Sequence, residues 1–115
     1  MNKQIAKKWA DALASNRFKK GCNALQSDDT YCCLGVLCKL AEDEGVRIFY
    51  SPENASYIAG SYLDSQPHVM QWAELDSKNG KYDDQGLDNT LSLLNDASKT
   101  FAPVIKIIET QWEIL

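Results

Sequence analysis

The chain has 115 residues, 44% of them hydrophobic, and a formal net charge of −4. That length suits one compact domain and is too short for two, and the hydrophobic content is enough to bury a core, so the chain need not be disordered. No run of about 18 apolar residues occurs, which excludes a membrane span, and the N-terminus lacks the apolar core of a signal peptide. We therefore expect one cytosolic domain over residues 1–115.

Charge is distributed unevenly along the chain. Residues 1–20 contain six basic groups and one acidic group and carry +5, whereas the remaining residues contain six basic and fifteen acidic groups and carry −9. An anionic ligand would therefore meet the protein at its N-terminal end. The alternative is that the basic segment only pairs with the acidic remainder.

The first part of the chain reads as a helix followed by extended backbone. Residues 17–25 are predicted to be extended, with Gly21 where the backbone turns or is approached closely. A hairpin over about residues 22–32 is the simplest route to the next element. Before it, residues 2–15 have the period of an amphipathic helix, with one apolar stripe formed by Ile5, Trp9, Ala12 and Leu13.

Residues 30–41 are the most apolar run: Thr30 and Tyr31 are expected to form a short strand, and the run then predicts a buried central helix. Gly35 within it costs about 1 kcal/mol relative to alanine, so we expect another backbone to approach closely there. Gly45 supplies the left-handed residue that ends helices. One helical face is formed by Leu34, Leu37, Cys38 and Ala41.

The middle of the chain alternates between strand-like and helical patterns. Residues 46–50 alternate in the manner of a strand, and residues 57–63 are predicted to be irregular or a weak strand because Gly60 interrupts them. Residues 67–73 suit a short helix with proline in its first turn. The side chains expected to face inward are Val69, Trp72 and Ala73.

The C-terminal third predicts a hairpin and two helices. Asn79-Gly80 is typical of a type I′ turn joining residues 76–78 to residues 81–83. Residues 87–95 predict a helix with Leu87, Leu91 and Leu94 on one side, and Thr100 is a good N-cap for the last helix. That helix has a stripe of Phe101, Val104, Ile105, Ile108 and Trp112. Together the elements predict an α+β fold, a helix-rich domain with short antiparallel strands and hairpins packed on the buried central helix.

The four cysteines are expected to be free thiols that serve as small buried hydrophobic side chains. A zinc site built from them is the weaker alternative, because their spacing does not give the two ligand pairs that structural zinc sites use. A cysteine nucleophile would have to be exposed and activated, and His68 is the one histidine in the chain. We therefore expect no catalytic residue, no metal and no cofactor, and a protein that is not an enzyme.

Several motifs resemble a widespread family of small phage and prophage proteins. The most specific is Tyr31-Cys32-Cys33-Leu34-Gly35-Val36-Leu37-Cys38, which matches that family's (Tyr/Phe)-Cys-Cys-Leu-Gly-Val-Leu-Cys helix. Two departures are Glu74, where the family usually has glycine, and Pro103, where an acidic capping residue is common. The other matching segments are Trp9 to Leu13, Phe18 to Gly21, Val69 to Leu75 and Leu94 to Ile105.

The resemblance implies an accessory protein encoded by a phage and acting in the cytosol of the host bacterium. Small phage proteins of this size often resemble counter-defence factors, some of which sequester the nucleotide second messengers of bacterial immunity. This implication comes from gene context and size, and the residues themselves do not carry it.

The residues do indicate where a small anionic nucleotide could bind. Basic side chains next to an aromatic ring and an open backbone amide are the groups that hold a phosphate and stack a base. The alternative is that the aromatic rings belong to the core. A chain this short has little room for a deep pocket, so we expect a homo-oligomer that encloses the ligand between protomers. The predicted ligand-binding residues are Arg17, Phe18, Lys19, Lys20, Gly21, Tyr31 and Trp72.

The second class of function is contact with a macromolecule. Residues 87–95 and 100–112 superficially resemble a helix-turn-helix, but the second helix begins with Phe101-Ala102-Pro103, and Lys106 is its one basic residue. With a pI near 4.9, duplex nucleic acid is a poor partner, and we expect no membrane partner. The alternative function is therefore inhibition of a host protein through an acidic or helical surface.

Overall fold

The computed structural model describes residues 1–82 and 89–115. These residues contain five α-helices and three two-residue strands, and a 3₁₀ turn at Leu63–Ser65 precedes the third helix. The predicted α+β class is confirmed. The elements in chain order are α1 (Lys3–Ala14), β1 (Lys19–Lys20), β2 (Gln26–Ser27), β3 (Thr30–Tyr31), α2 (Cys33–Asp43), α3 (Pro67–Ala73), α4 (Leu91–Ala97) and α5 (Ala102–Gln111).

Helix α2 lies at the centre of the fold, as the sequence predicts. Every residue from Cys33 to Cys38 is buried, and so is Ala41 one turn later. The helix packs against α1, α3 and α4, and α5 closes the bundle by packing against α1 and α4. A helix that is apolar around most of its circumference is stable only when neighbours cover all of its sides, which is the arrangement here.

The two glycines of this region have the roles predicted for them. A Cβ atom on Gly35 would lie 1.7 Å from the carbonyl oxygen of Leu25, so another backbone does approach the helix there. At the C-terminal end, Gly45 has φ +86° and donates its N–H to Glu42 O at 3.0 Å. The N–H of Val46 donates to Ala41 O at 3.0 Å, and this pair of bonds is the Schellman pattern that ends helices.

Helix α1 matches the predicted amphipathic helix. The Asn2 side chain caps it by accepting the N–H of Ile5 at 3.0 Å. Trp9 is fully buried, and its indole N–H donates to Cys33 O at 2.8 Å, which fixes α1 on the first turn of α2. Of the predicted stripe, Ile5 and Ala12 are only half-buried. The buried face consists of Ala6, Trp9, Ala10 and Leu13.

The sheet has the order β1-β3-β2. β2 and β3 form an antiparallel hairpin, shorter than the predicted one over residues 22–32. β1 pairs with β3 in parallel, with Lys20 opposite Tyr31, whereas only antiparallel strands were predicted. Strands of two residues are too short to show a hydrophobic period, so their pairing has no sequence signal.

The strand predicted over residues 46–50 does not form. Only Tyr50 pairs, in an isolated antiparallel bridge with Ile58. Residues 57–63 are otherwise irregular, which is one of the two predicted outcomes. The alternation in this segment therefore reflects which side chains are buried rather than a ladder of backbone hydrogen bonds.

A buried side-chain amide takes the place of the missing strand partner. Gln66 is fully buried, and its Oε1 accepts the N–H of Phe49 at 2.9 Å. Its Nε2 donates to Phe49 O at 2.7 Å and to Ala59 O at 3.0 Å. One glutamine thus satisfies backbone groups of two separate segments.

The predicted type I′ hairpin is also wrong. That turn needs positive φ at both central residues, and of the pair only Gly80 has it, at +73°. Lys81 pairs instead with Thr90 in an isolated bridge. Asp83, the end of the predicted hairpin, lies outside the described residues.

Helix α3 has the predicted bounds, with Pro67 in its first turn. Val69 and Ala73 are fully buried as predicted, but Trp72 is only half-buried. Its side chain lies at the edge of the core rather than within it. No helix within residues 1–82 and 89–115 is long and apolar enough to cross a membrane.

The last two helices begin later than predicted. Thr90 caps α4 by accepting the N–H of Leu93 at 3.2 Å, so that helix starts at Leu91, and the predicted start at Leu87 lies outside the described residues. The Thr100 hydroxyl accepts the N–H of Ala102, the first residue of α5, at 3.3 Å. The buried side of α5 consists of Phe101, Val104 and Ile108, with Ile105 and Trp112 half-buried.

Candidate functional site

The small sheet brings most of the predicted ligand-binding residues together. Because β1 pairs with β3, Lys20 lies opposite Tyr31. The rings of Phe18 and Tyr31 meet edge to face, with centroids 5.4 Å apart and both residues half-buried. The basic segment and the first strand residues therefore share one surface with two aromatic rings.

Two of the three predicted cations point along the surface toward acids. Arg17 lies 3.3 Å from the carboxylate of Asp43, and its guanidinium stands 4.9 Å from the ring centre of Phe18. Lys19 lies 3.9 Å from the carboxylate of Asp29. All four charged side chains are at least half exposed, so these are surface ion pairs of small energy. This part of the structure agrees with the alternative that the basic segment pairs with the acidic remainder.

The Gly21 amide is occupied within the sheet. It donates to Tyr31 O at 2.8 Å, so it is not open to a phosphate. A Cβ on Gly21 would lie 2.5 Å from Oγ1 of Thr30, and this close approach explains the glycine. Its predicted role as an open amide donor does not fit this geometry.

Trp72 lies on a different part of the molecule. Its helix, α3, packs against α2 and the 3₁₀ turn, and the ring rests against the core. Among the described residues, no hydrogen bond or ring contact joins Trp72 to residues 17–21. A ligand over the basic segment would be served by Phe18 and Tyr31 instead.

Lys20, a third predicted cation, lines a recess in the surface. We call this recess the cationic groove: it lies between the end of α1 and the start of α5 and has a volume of about 300 Å³. Lys99, from the turn before α5, lines it as well. The residues that line it and bear on the chemistry are Leu13, Phe18, Lys20, Lys99, Thr100 and Phe101.

The cationic groove combines two ammonium groups with aromatic surface. Neither Lys20 nor Lys99 forms an ion pair with a carboxylate in the described part of the chain. Phe18 is half-buried and keeps part of its ring accessible, whereas Phe101 is 7% exposed and contributes a mostly buried apolar wall. Such a recess can hold an anion at its lysines while an apolar or aromatic body rests on its rings.

Sequence reasoning missed Lys99 and Phe101. Both are far in the chain from the basic segment and join it only because α1 and α5 pack together. Neither has a local motif of its own, so one sequence offers no signal for their role.

Two chain segments run side by side next to the cationic groove, and we call residues 20–23 and 95–99 together the seam. The buried Asn95 joins them, since its Nδ2 donates to Gly21 O at 3.0 Å while its Oδ1 accepts the N–H of Cys33 at 3.1 Å. The N–H of Asn23 donates to Asp96 Oδ1 at 3.3 Å. The seam is therefore attached directly to the first turn of the central helix.

The cysteines are all free, as predicted, but they are not all buried. Cys22 is exposed, which contradicts the prediction of four buried thiols, while the other three are buried. Burial raises the pKa of Cys32 to about 11, although the amides of Gly35 and Leu34 act against the shift. Burial also raises the pKa values of Cys33 and Cys38. These three thiols stay protonated near neutral pH and are poor nucleophiles there.

The residues in the described ranges contain no group of three histidine, cysteine or acidic side chains that could hold a metal ion.

A comparison with curated proteins finds no match, and a comparison with solved structures finds none either. The model of one family matches nearly the whole chain, over residues 1–112, and the chain therefore belongs to DUF8296, a family described as a domain of unknown function.

Proposed function

We propose that this chain is a phage-encoded, non-catalytic counter-defence protein that binds and sequesters a small anionic nucleotide in the cytosol of the host bacterium. The phage origin and the counter-defence role come from the motif resemblance. The nucleotide and its place come from the residues around the cationic groove.

One observation carries the proposal. Lys20 and Lys99, from opposite ends of the chain, line the same recess as the rings of Phe18 and Phe101. An ammonium group next to a phosphate forms charge-assisted hydrogen bonds, which are among the stronger ones in proteins. A base stacked on an aromatic side chain adds about 1–3 kcal/mol. A nucleotide carries both a phosphate and a base, and the lysines and the aromatic rings of the groove suit these two parts.

The size of the groove is consistent with a small ligand. Its volume of about 300 Å³ is at the low end of the range for small-molecule sites. Because the groove is open to solvent, one protomer would leave much of the ligand exposed. A second copy lying over the groove would enclose it, so we expect a homo-oligomer, which light scattering on the purified protein would detect.

Isothermal titration calorimetry against cyclic nucleotides, cyclic oligonucleotides and ADP-ribose derivatives tests the proposal. We expect at least one of them to bind, and the double variant K20A/K99A to bind it about a hundredfold more weakly, because two charge-assisted contacts are lost. The matched control is K81A/K106A, which removes two exposed lysines outside the groove and changes the net charge equally. We expect that control to bind like the wild type.

If no compound of the panel bound detectably at protein concentrations well above micromolar, the proposal would be overturned. Equal losses in both double variants would also overturn the groove as the site, because affinity would then follow net charge alone. A pull-down from host lysate that returned one stoichiometric protein, together with a silent panel, would favour the alternative of a host-protein inhibitor.

A further inference from the structure

A second, smaller recess opens at the other end of the seam, and we call it the polar cavity. Its volume is about 170 Å³. Unlike the cationic groove, it has no lysine or arginine in its lining, and its character comes from a carboxylate, an amide and hydroxyl groups. The residues that define it are Asn23, Cys32, Ser61, Tyr62, Ser92 and Asp96.

The carboxylate of Asp96 is held in place by the seam. Its Oδ1 accepts the N–H of Asn23 at 3.3 Å and the Nδ2 of Asn95 at 3.1 Å. Both bonds use the same oxygen, and Oδ2 accepts no hydrogen bond from the described residues. A fixed carboxylate with an open oxygen is a strong acceptor for hydroxyl donors.

The other walls of the polar cavity suit a neutral group rather than an anion. Cys32 forms part of its lining and is a protonated thiol at neutral pH, so it adds no charge. The Ser61 hydroxyl donates to Asn23 O at 3.1 Å and can accept from a ligand, whereas the Ser92 hydroxyl can donate or accept. Tyr62 adds an aromatic ring whose centre lies 5.5 Å from the Lys78 ammonium, and a phosphate next to Asp96 would be repelled by its carboxylate.

The polar cavity and the cationic groove are connected through the seam. Lys20 and Asn23 are three residues apart on one segment, and Asp96 and Lys99 are three residues apart on the other. Each segment thus supplies one lysine to the groove and one polar side chain to the cavity. Three residues of extended chain span at most about 10 Å, so both recesses are within reach of one small ligand.

We propose that the polar cavity binds the ribose of the nucleotide, with Asp96 accepting hydrogen bonds from its 2′- and 3′-hydroxyls. This inference rests on the proposed function and narrows it to one ligand class. A carboxylate that accepts from two neighbouring hydroxyls selects ribonucleotides with a free vicinal diol. It disfavours 2′-deoxynucleotides and 3′,5′-cyclic nucleotides, which lack one of the two free hydroxyls.

Calorimetry with ADP and 2′-deoxy-ADP on the full chain tests the inference. The wild type should bind ADP at least about tenfold more tightly than 2′-deoxy-ADP, because the deoxy compound leaves an acceptor unpaired. D96N keeps an oxygen for Asn23 and Asn95 but removes the charge, and it should lose most of this preference. The matched control D64N, at an exposed acid outside the cavity, should keep it, and K20A/K99A should weaken both ligands equally.

Equal binding of ADP and 2′-deoxy-ADP by the wild type, or an unchanged preference in D96N, would overturn the inference and leave the anion site standing. A titration of ¹⁵N-labelled protein with free ribose and with 2-deoxyribose separates the two proposals. Amide shifts at Asn23 and Asp96 with ribose alone would support the cavity even if no nucleotide bound. Identical shifts with both sugars would count against it.

Discussion

Helix α2 and the segment from Val46 to Gln66 hold their backbones in opposite ways. In α2 each turn is bonded within the helix, and apolar neighbours cover it on all sides. In the second segment, one isolated bridge and the amide of Gln66 provide the pairing around Phe49. The first kind of order is local and repeated along the chain, whereas the second depends strongly on one side chain.

This difference explains where the sequence is informative. A repeated pattern appears in any window of a dozen residues, so α2 could be predicted together with its ends. A single buried amide has no pattern, and Gln66 looks like any polar residue before a helix. Substitutions in the two regions should therefore differ in their effects on the stability of the fold.

Gly35→Ala should be the most damaging single change in α2. The added methyl would lie 1.7 Å from Leu25 O, and that atom belongs to a backbone that cannot rotate away. We expect a loss of more than about 3 kcal/mol in the free energy of unfolding by urea. Gly45→Ala is the control, because it has open space and costs only about 1–2 kcal/mol from its positive φ. Equal losses in the two variants would show that the close approach is relieved by a small shift.

Gln66→Leu should destabilise the other region while keeping its volume. The change leaves the Phe49 N–H and Ala59 O without the Gln66 partner and removes one of the two donors to Phe49 O, which keeps the N–H of Ala59. We expect a loss of about 2–3 kcal/mol and faster hydrogen exchange at the Phe49 amide. Gln71→Leu, at an exposed position on α3, should change the stability little. If Q66L proved as stable as Q71L, the hydrogen bonds of Gln66 would contribute little to the stability of this segment.

The buried thiols around α2 predict a loss of stability in alkali. The pKa of Cys32 rises from 9.0 to about 11 on folding, so above pH 9 the unfolded chain releases its proton first. Stability should therefore be complete below about pH 9 and should fall by about 1.4 kcal/mol per pH unit for this thiol up to its folded pKa. Urea unfolding under reducing conditions at several pH values measures the slope. Cys32→Ala should reduce the slope and Cys22→Ser should not; the reverse order would contradict the burial of Cys32.

Arg17→Ala should have the smallest effect. Its ion pair with Asp43 is 3.3 Å long but exposed, with side chains 56% and 50% accessible. Such pairs contribute about 0.2–1 kcal/mol. We therefore expect a decrease in the free energy of unfolding that is near the lower limit of measurement and becomes smaller still as salt is added. A loss comparable to that of Q66L would mean that the basic segment supports the fold and would weaken its assignment to a binding surface.

The parts of the fold that could be predicted are those with a period or a specific terminal residue. They include α1, α2, α3, the Gly45 terminus and most of α5. The failures at residues 46–50 and at Asn79-Gly80 share one cause: the local pattern was present, but partners distant in the sequence decided the backbone. The parallel pairing of β1 with β3 had no local signal.

The candidate site could be predicted only in part. Phe18 and Lys20 share a surface because neighbours on one short segment stay close in any fold, whereas Tyr31 joins them only through the pairing of β1 with β3. Lys99 and Asp96 were missed as partners of that segment because α4 and α5 bring them there from the opposite end of the chain. Charge alone points to Arg17 and Lys19, and charge does not reveal which acids lie opposite.

Asn95 links the seam to the centre of the fold. Its single amide is bonded both to the first turn of the central helix and to Gly21 O, on the segment that supplies Lys20 to the groove and Asn23 to the cavity. A molecule that occupied both recesses would therefore stabilise the helix bundle next to its central helix. Its binding would raise the melting temperature of the whole domain.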